Sequence, residues 1–318
     1  MMPLRTAAFR TLIGIALGMT PGLATAEPAE IALPGSFPFP ENVTSTKDGT
    51  LYVSSISDGG VIRIAPGGEP ELWIEPGAYD TRSTLGLLAD EKKGLLWVCS
   101  NDISGIGVDG PTDIEGGFLK GFDLNTGEGK VSYRFPMEGA VCNDIAIAPD
   151  GAVYATNTAG MEIVKLAPGA EELEIWVSDP VLKGGLDGLA FGPDGNLYVN
   201  TFSANELFRI DVEDGEAKGI AKLETPPLGK PDGIRPVPGG FVMVEGAGKL
   251  DLITVDGDTV DIETIGAFTE PTGVTVVGDR AWVTEGQLSY LFDEAKKDGP
   301  RPSFQLRAMP LPQVEAAH

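Results

Sequence analysis

Six segments of the chain carry one pattern: a short apolar run, a tight glycine-rich turn, and a second run rich in Tyr, Trp and Val. They span 41–53, 85–98, 143–155, 187–199, 232–244 and 272–283, so successive starts lie 44, 58, 44, 45 and 40 residues apart. A period of this length marks four-stranded blades set around an axis, because one such sheet cannot bury both faces without a neighbour on each side. The repeat predicts an all-β, six-bladed β-propeller over 27–318, with no linker that would divide it into two domains. Asp48-Gly49, Asp150-Gly151 and Asp194-Gly195 supply the positive φ of hairpin turns.

Third strands follow at Val61–Ile64, Ile163–Leu166 and Leu207–Ile210, and less regular fourth strands at Lys130–Phe135 and Glu172–Val177. Closure of the ring must remove the exposed sheet edges. Ser303–Leu311 can pair inside the last blade and Glu30–Leu33 can add its outer strand, so pairing of the N- and C-terminal strands is expected to latch the circle. Residues 287–298 read as a loop or one helical turn, and the long second repeat inserts 100–117, rich in Gly and Asp, over part of one face. Within that insertion Gly105, Gly107 and Gly110 match a dinucleotide-binding spacing. Pro111 and Gly116-Gly117 stand where its helix would begin, which removes that reading.

The first 26 residues have the form of a secretory signal peptide: Arg5 and Arg10, an apolar stretch too short to span a bilayer, and Ala24-Thr25-Ala26 as a cleavage pattern. A periplasmic or secreted protein is expected. Its 23 Lys and Arg against 47 Asp and Glu give a net charge of −24, which argues against nucleic acid and membrane as partners and leaves a small-molecule substrate. The charge does not decide the oligomeric state. Cys99 and Cys142 form a possible disulfide in an oxidising compartment, with two buried, inert thiols as the alternative.

In a propeller each inner strand starts at the central tunnel, so residues of equal phase meet around one axis. Here those residues are Glu41, Leu85, Asn143, Asp187, Asp232 and Thr272. Three acids in a confined tunnel repel one another unless a cation lies between them. Hard oxygen donors select Ca2+, with Mg2+ or Mn2+ as alternatives, over zinc. Glu41, Asn143, Asp187 and Asp232 are therefore the candidate metal ligands, and Leu85 and Thr272 give the ring an apolar side and a small polar side to receive substrate. Asn101, Asn157, Asn200, Glu245 and Glu285, at the ends of second strands, are candidate pocket residues. The single histidine is His318, at the last position, so no Ser-His-Asp triad can form.

Pro40-Glu41, Cys142-Asn143-Asp144-Ile145, Leu186-Asp187-Gly188-Leu189 and Pro231-Asp232-Gly233-Ile234, with the Pro-Asp-Gly turns after the second and third, resemble the senescence-marker-protein/gluconolactonase propellers. The likeness extends to paraoxonases and diisopropylfluorophosphatase. The resemblance implies a divalent cation, usually Ca2+, at the tunnel mouth and hydrolysis of a lactone or small ester. Carried over by position, Glu41, Asp187 and Asp232 are ligands and Asn143 is a ligand or a substrate-orienting neighbour. Asp232 is the expected catalytic residue, helping water attack. Relatives commonly carry Asn where this chain has Asp187; the extra charge should tighten metal binding and weaken the cation as a Lewis acid. A non-catalytic ligand- or protein-binding propeller with a structural calcium is the alternative.

Overall fold

The computed structural model describes residues 29–312. The signal-peptide assignment and His318 lie outside these residues. Six antiparallel four-stranded sheets stand in a ring. Their inner strands are Pro40–Ser45, Ser83–Asp90, Cys142–Ile147, Leu186–Phe191, Pro231–Val237 and Pro271–Val277, opening blades one to six. Each packs against the inner strands of both neighbouring blades, and blade six meets blade one to close the circle.

The predicted closure is present. Blade six takes its outer strand from the other end of the chain: Glu30–Ala32 pairs with Gln305–Pro310, with Ile31 opposite Leu306. The expected third strand Val61–Ile64 is present with those bounds, and the turn after the last second strand is one helical turn, Ser289–Phe292. The second-repeat insertion folds back on its own blade. Arg82 holds it, its Nε donating to the Asp109 carbonyl at 2.6 Å and its Nη1 pairing with Asp102 at 3.0 Å.

The apolar core lies between blades. Val53, Ile62, Val153, Val164, Val199 and Phe208 are among the side chains sealed against adjacent sheets. Alternation along the second strands sends one set of side chains to each neighbouring blade, which is why these runs are apolar on both faces.

All six inner strands share one irregularity at the tunnel. Pairing with the second strand slips between Pro40 and Val43, Thr84 and Leu87, Cys142 and Ile145, Leu186 and Leu189, Pro231 and Ile234, and Pro271 and Gly273. A bulge re-aims the residue it contains and leaves a backbone N–H without its ladder partner. Second-strand side chains take up those groups. Ser54 accepts from Asn42 N at 2.9 Å, Thr156 from Asp144 N at 3.0 Å, Asn200 from Gly188 N at 3.1 Å and Thr284 from Gly273 N at 2.7 Å. Thr156 and Asn200 also donate to the next blade's inner strand, at the carbonyls of Asp187 and Asp232, so each bulge is tied to its neighbour.

Gly188 shows how close that approach is. A Cβ there would lie 2.3 Å from the Asp232 carbonyl oxygen and 2.9 Å from the Ile234 nitrogen, both backbone atoms that cannot swing away.

Candidate metal centre at the tunnel mouth

The bulges turn Glu41, Asn143, Asp187 and Asp232 onto the axis from blades one, three, four and five. All four are buried. The Asn143 Nδ2 donates to Asp187 Oδ2 at 3.1 Å, and the Asp187 and Asp232 carboxyls act directly on one another. Asp232 Oδ1 also accepts from the Gly233 N–H at 2.9 Å.

Burial is the main force on these acids. It pushes Asp187 up to about 7, with the Asp144 charge adding to the rise and the Asn143 amide opposing it. Asp232 is held well above the ordinary range by burial and then by the charges of Asp187 and Glu41. Glu41 is raised by burial, Asp187 and Asp144, against a smaller opposing effect of Arg235.

Three oxygens at this site are buried without a hydrogen-bond donor: Glu41 Oε2, Asn143 Oδ1 and Asp187 Oδ1. Buried acceptors are rarely left unpaired, and three at ring positions of blades one, three and four match what a hard divalent cation requires. Among the described residues no three acidic, histidine or cysteine side chains form a metal cage by themselves. The donor set therefore depends on the Asn143 amide as well as the carboxylates, a mixture that fits Ca2+ better than zinc.

Below the ring lies a second network that the sequence reading did not single out. Asp144, fully buried, receives both terminal nitrogens of Arg235, at 2.7 and 2.9 Å. Arg235 also donates to the Ile234 carbonyl at 2.7 Å, Asn42 Oδ1 at 3.2 Å and the Leu87 carbonyl at 3.4 Å. One guanidinium thus ties blades one, two, three and five at the axis. The available signal was Asp144 itself, directly after a ring residue, with an arginine three positions after Asp232.

The five candidate pocket residues occupy the ends of second strands, where each is buried and engaged with nearby chain. Asn101 accepts from Cys142 N at 2.7 Å and donates to its carbonyl at 2.8 Å. Asn157 accepts from Val141 N and donates to Glu162, and Asn200 bridges Gly188 to Asp232 as described. Glu245 accepts from Gly229 N and pairs with Lys249; Glu285 accepts from Thr269 N, Gln305 and Arg307.

A cavity of about 800 Å3 opens beside Asp232 and Thr272, between loops of blades four, five and six. Phe202, Leu228, Lys230, Leu288 and Phe292 form much of its wall. Phe39, Lys230 and Glu270, each before the proline that starts an inner strand, take positive φ values of 53°, 57° and 45°. Such backbone is costly for a non-glycine residue and persists where the surroundings fix it, as at the mouth of a site. Cys99 and Cys142 are joined, with Cα atoms 5.1 Å apart, and the bond fixes the residue beside Asn143 to blade two.

No protein-family model matches the chain, and no curated protein matches its sequence. Among solved structures, the fold is similar to a gluconolactonase from Xanthomonas campestris, with 18% identity, 92% of this chain and 94% of that chain covered, and a TM-score of 0.63. It is also similar to the calcium-binding protein regucalcin from Agrobacterium tumefaciens (20% identity, coverage 89% and 94%, TM-score 0.64). Virginiamycin B lyase from Staphylococcus aureus shares the architecture at 17% identity, with coverage of 90% and 99% and a TM-score of 0.58. At these identities the likeness is one of fold.

Proposed function

We propose that this chain is a calcium-dependent hydrolase of a lactone or small ester, working in the periplasm or outside the cell. The observation that carries this reading is the set of orphaned oxygens of Glu41, Asn143 and Asp187, beside an Asp232 that also lines a substrate-sized cavity. The gluconolactonase and calcium-binding propellers among the structural neighbours support it, and the Cys99–Cys142 bond is in keeping with an oxidising compartment.

Glu41, Asn143, Asp187 and Asp232 would hold the cation. Once bound, calcium supplies polarisation of the substrate carbonyl and stabilisation of its developing oxyanion. Asp232 lines the cavity and, when ionised, accepts the proton of the attacking water as the water oxygen bonds to the carbonyl carbon. The carbonyl carbon to ring-oxygen bond then breaks, and that proton returns to the leaving oxygen, giving a hydroxy acid. Asn143 orients the Asp187 carboxyl through its amide hydrogen. Asp187, in place of a neutral amide, adds charge to the donor set, which favours tight metal binding over strong polarisation.

The test strips the protein with chelator and follows hydrolysis of a lactone panel as Ca2+, Mg2+, Mn2+ or Zn2+ is restored, with Asp232→Ala as control. Turnover restored by Ca2+ and lost in the variant is the expected result. Absence of turnover with every metal, together with a melting temperature raised by Ca2+, would overturn catalysis in favour of a binding propeller with a structural ion.

A further inference from the structure

The cavity beside Asp232 has walls whose chemistry restricts what it can receive. Phe202, Leu228, Leu288 and Phe292 present apolar surface, and Phe292 remains 40% exposed at the rim. Several polar groups among them already have partners within the chain. Asn205 Oδ1 accepts from Lys230 N at 2.6 Å, and Glu270 takes the Ser289 N–H at 2.9 Å and the Ser289 hydroxyl at 2.6 Å. Asp293 Oδ1 accepts from Ala295 N at 2.9 Å. Lys230 places its ammonium over the Phe202 ring, 5.7 Å from the centroid, at the same rim.

Hydroxyls of a polyhydroxylated ring laid against Phe202, Leu228, Leu288 and Phe292 would lose water without gaining partners, a loss larger than their dispersion contacts return. An alkyl or aryl group, by contrast, gains the full benefit of leaving water. We infer that the cavity selects a lactone or ester carrying an apolar substituent and discriminates against sugar lactones, with Leu228 and Phe292 as specificity-determining residues. This assignment rests on the hydrolase reading for its reactive group, and the wall itself sets the substituent. The Lys230 ammonium at the rim meets the carboxylate that ring opening creates.

The test compares kcat/KM for δ-valerolactone, δ-octalactone, δ-decalactone and glucono-δ-lactone on the calcium-loaded protein. In parallel, calorimetry follows binding of the corresponding alkyl-substituted δ-lactams, which do not turn over. Each methylene that enters the wall should raise kcat/KM and lactam affinity about two- to fourfold. Phe292→Ser and Leu228→Ser should flatten that slope, and Phe292, being exposed, can be changed without unfolding the blade. A flat chain-length series, or a preference for glucono-δ-lactone, would overturn the assignment while leaving the hydrolase reading intact. Lactams that bind with the chain-length slope in a protein that hydrolyses nothing would do the reverse.

Discussion

Arg235 grips Asp144 with both terminal nitrogens, at 2.7 and 2.9 Å, in the buried centre of the tunnel. Removing one partner strands the other charge, so Arg235→Met should cost about 3–5 kcal/mol of stability. The double variant Arg235→Met/Asp144→Asn strands no charge and should be more stable than the single one. Urea unfolding of the wild type, Arg235→Met, Asp144→Asn and the double variant checks this; additive losses would show that the two residues act independently.

The raised carboxyl pKa values at the ring make the metal-free protein sensitive to pH. Asp187 has an ordinary pKa of 3.8 when unfolded and about 7 when folded, so the folded state binds the proton more tightly. Its contribution is therefore complete below about pH 4 and lost as pH rises through about 7, a change on the order of a few kcal/mol. Melting curves of chelator-treated protein between pH 4.5 and 8 should fall along this course, and Asp187→Asn should flatten it. Saturating Ca2+ should offset the fall at the alkaline end.

The disulfide closes a loop between residues 43 apart, from blade two to the ring strand of blade three. On the chain-entropy account such a cross-link stabilises by about 4 kcal/mol. The Cys99→Ala/Cys142→Ala variant should therefore melt lower. Because Cys142 adjoins Asn143, calcium should also bind it more weakly, which titration of the variant measures.

The blade count was legible because an interval of 40 to 58 residues with glycine turns has few other physical meanings. Ring closure by Glu30–Ala32 was legible for a related reason, since an open edge had to find a strand. The phase argument also collected Glu41, Asn143, Asp187 and Asp232 on the axis. It did not show that Asn101, Asn157 and Asn200 would be occupied by backbone groups at or beside the slipped inner-strand pairing, because a bulge leaves no mark in a two-residue period. Arg235 was hidden by the same limit: which side of a strand faces the axis changes at the bulge. The apolar cavity wall comes from loops of blades four to six, where sequence carries no period at all.

Calcium titration of the chelator-treated protein by calorimetry is the most direct test of the ring as a metal centre. One Ca2+ per chain should bind, releasing protons at pH 6.5 as the Asp187–Asp232 pair ionises, with affinity lowered at least tenfold in Glu41→Gln. Absence of binding at millimolar Ca2+, or binding that Glu41→Gln and Asp232→Asn leave unchanged, would contradict the account.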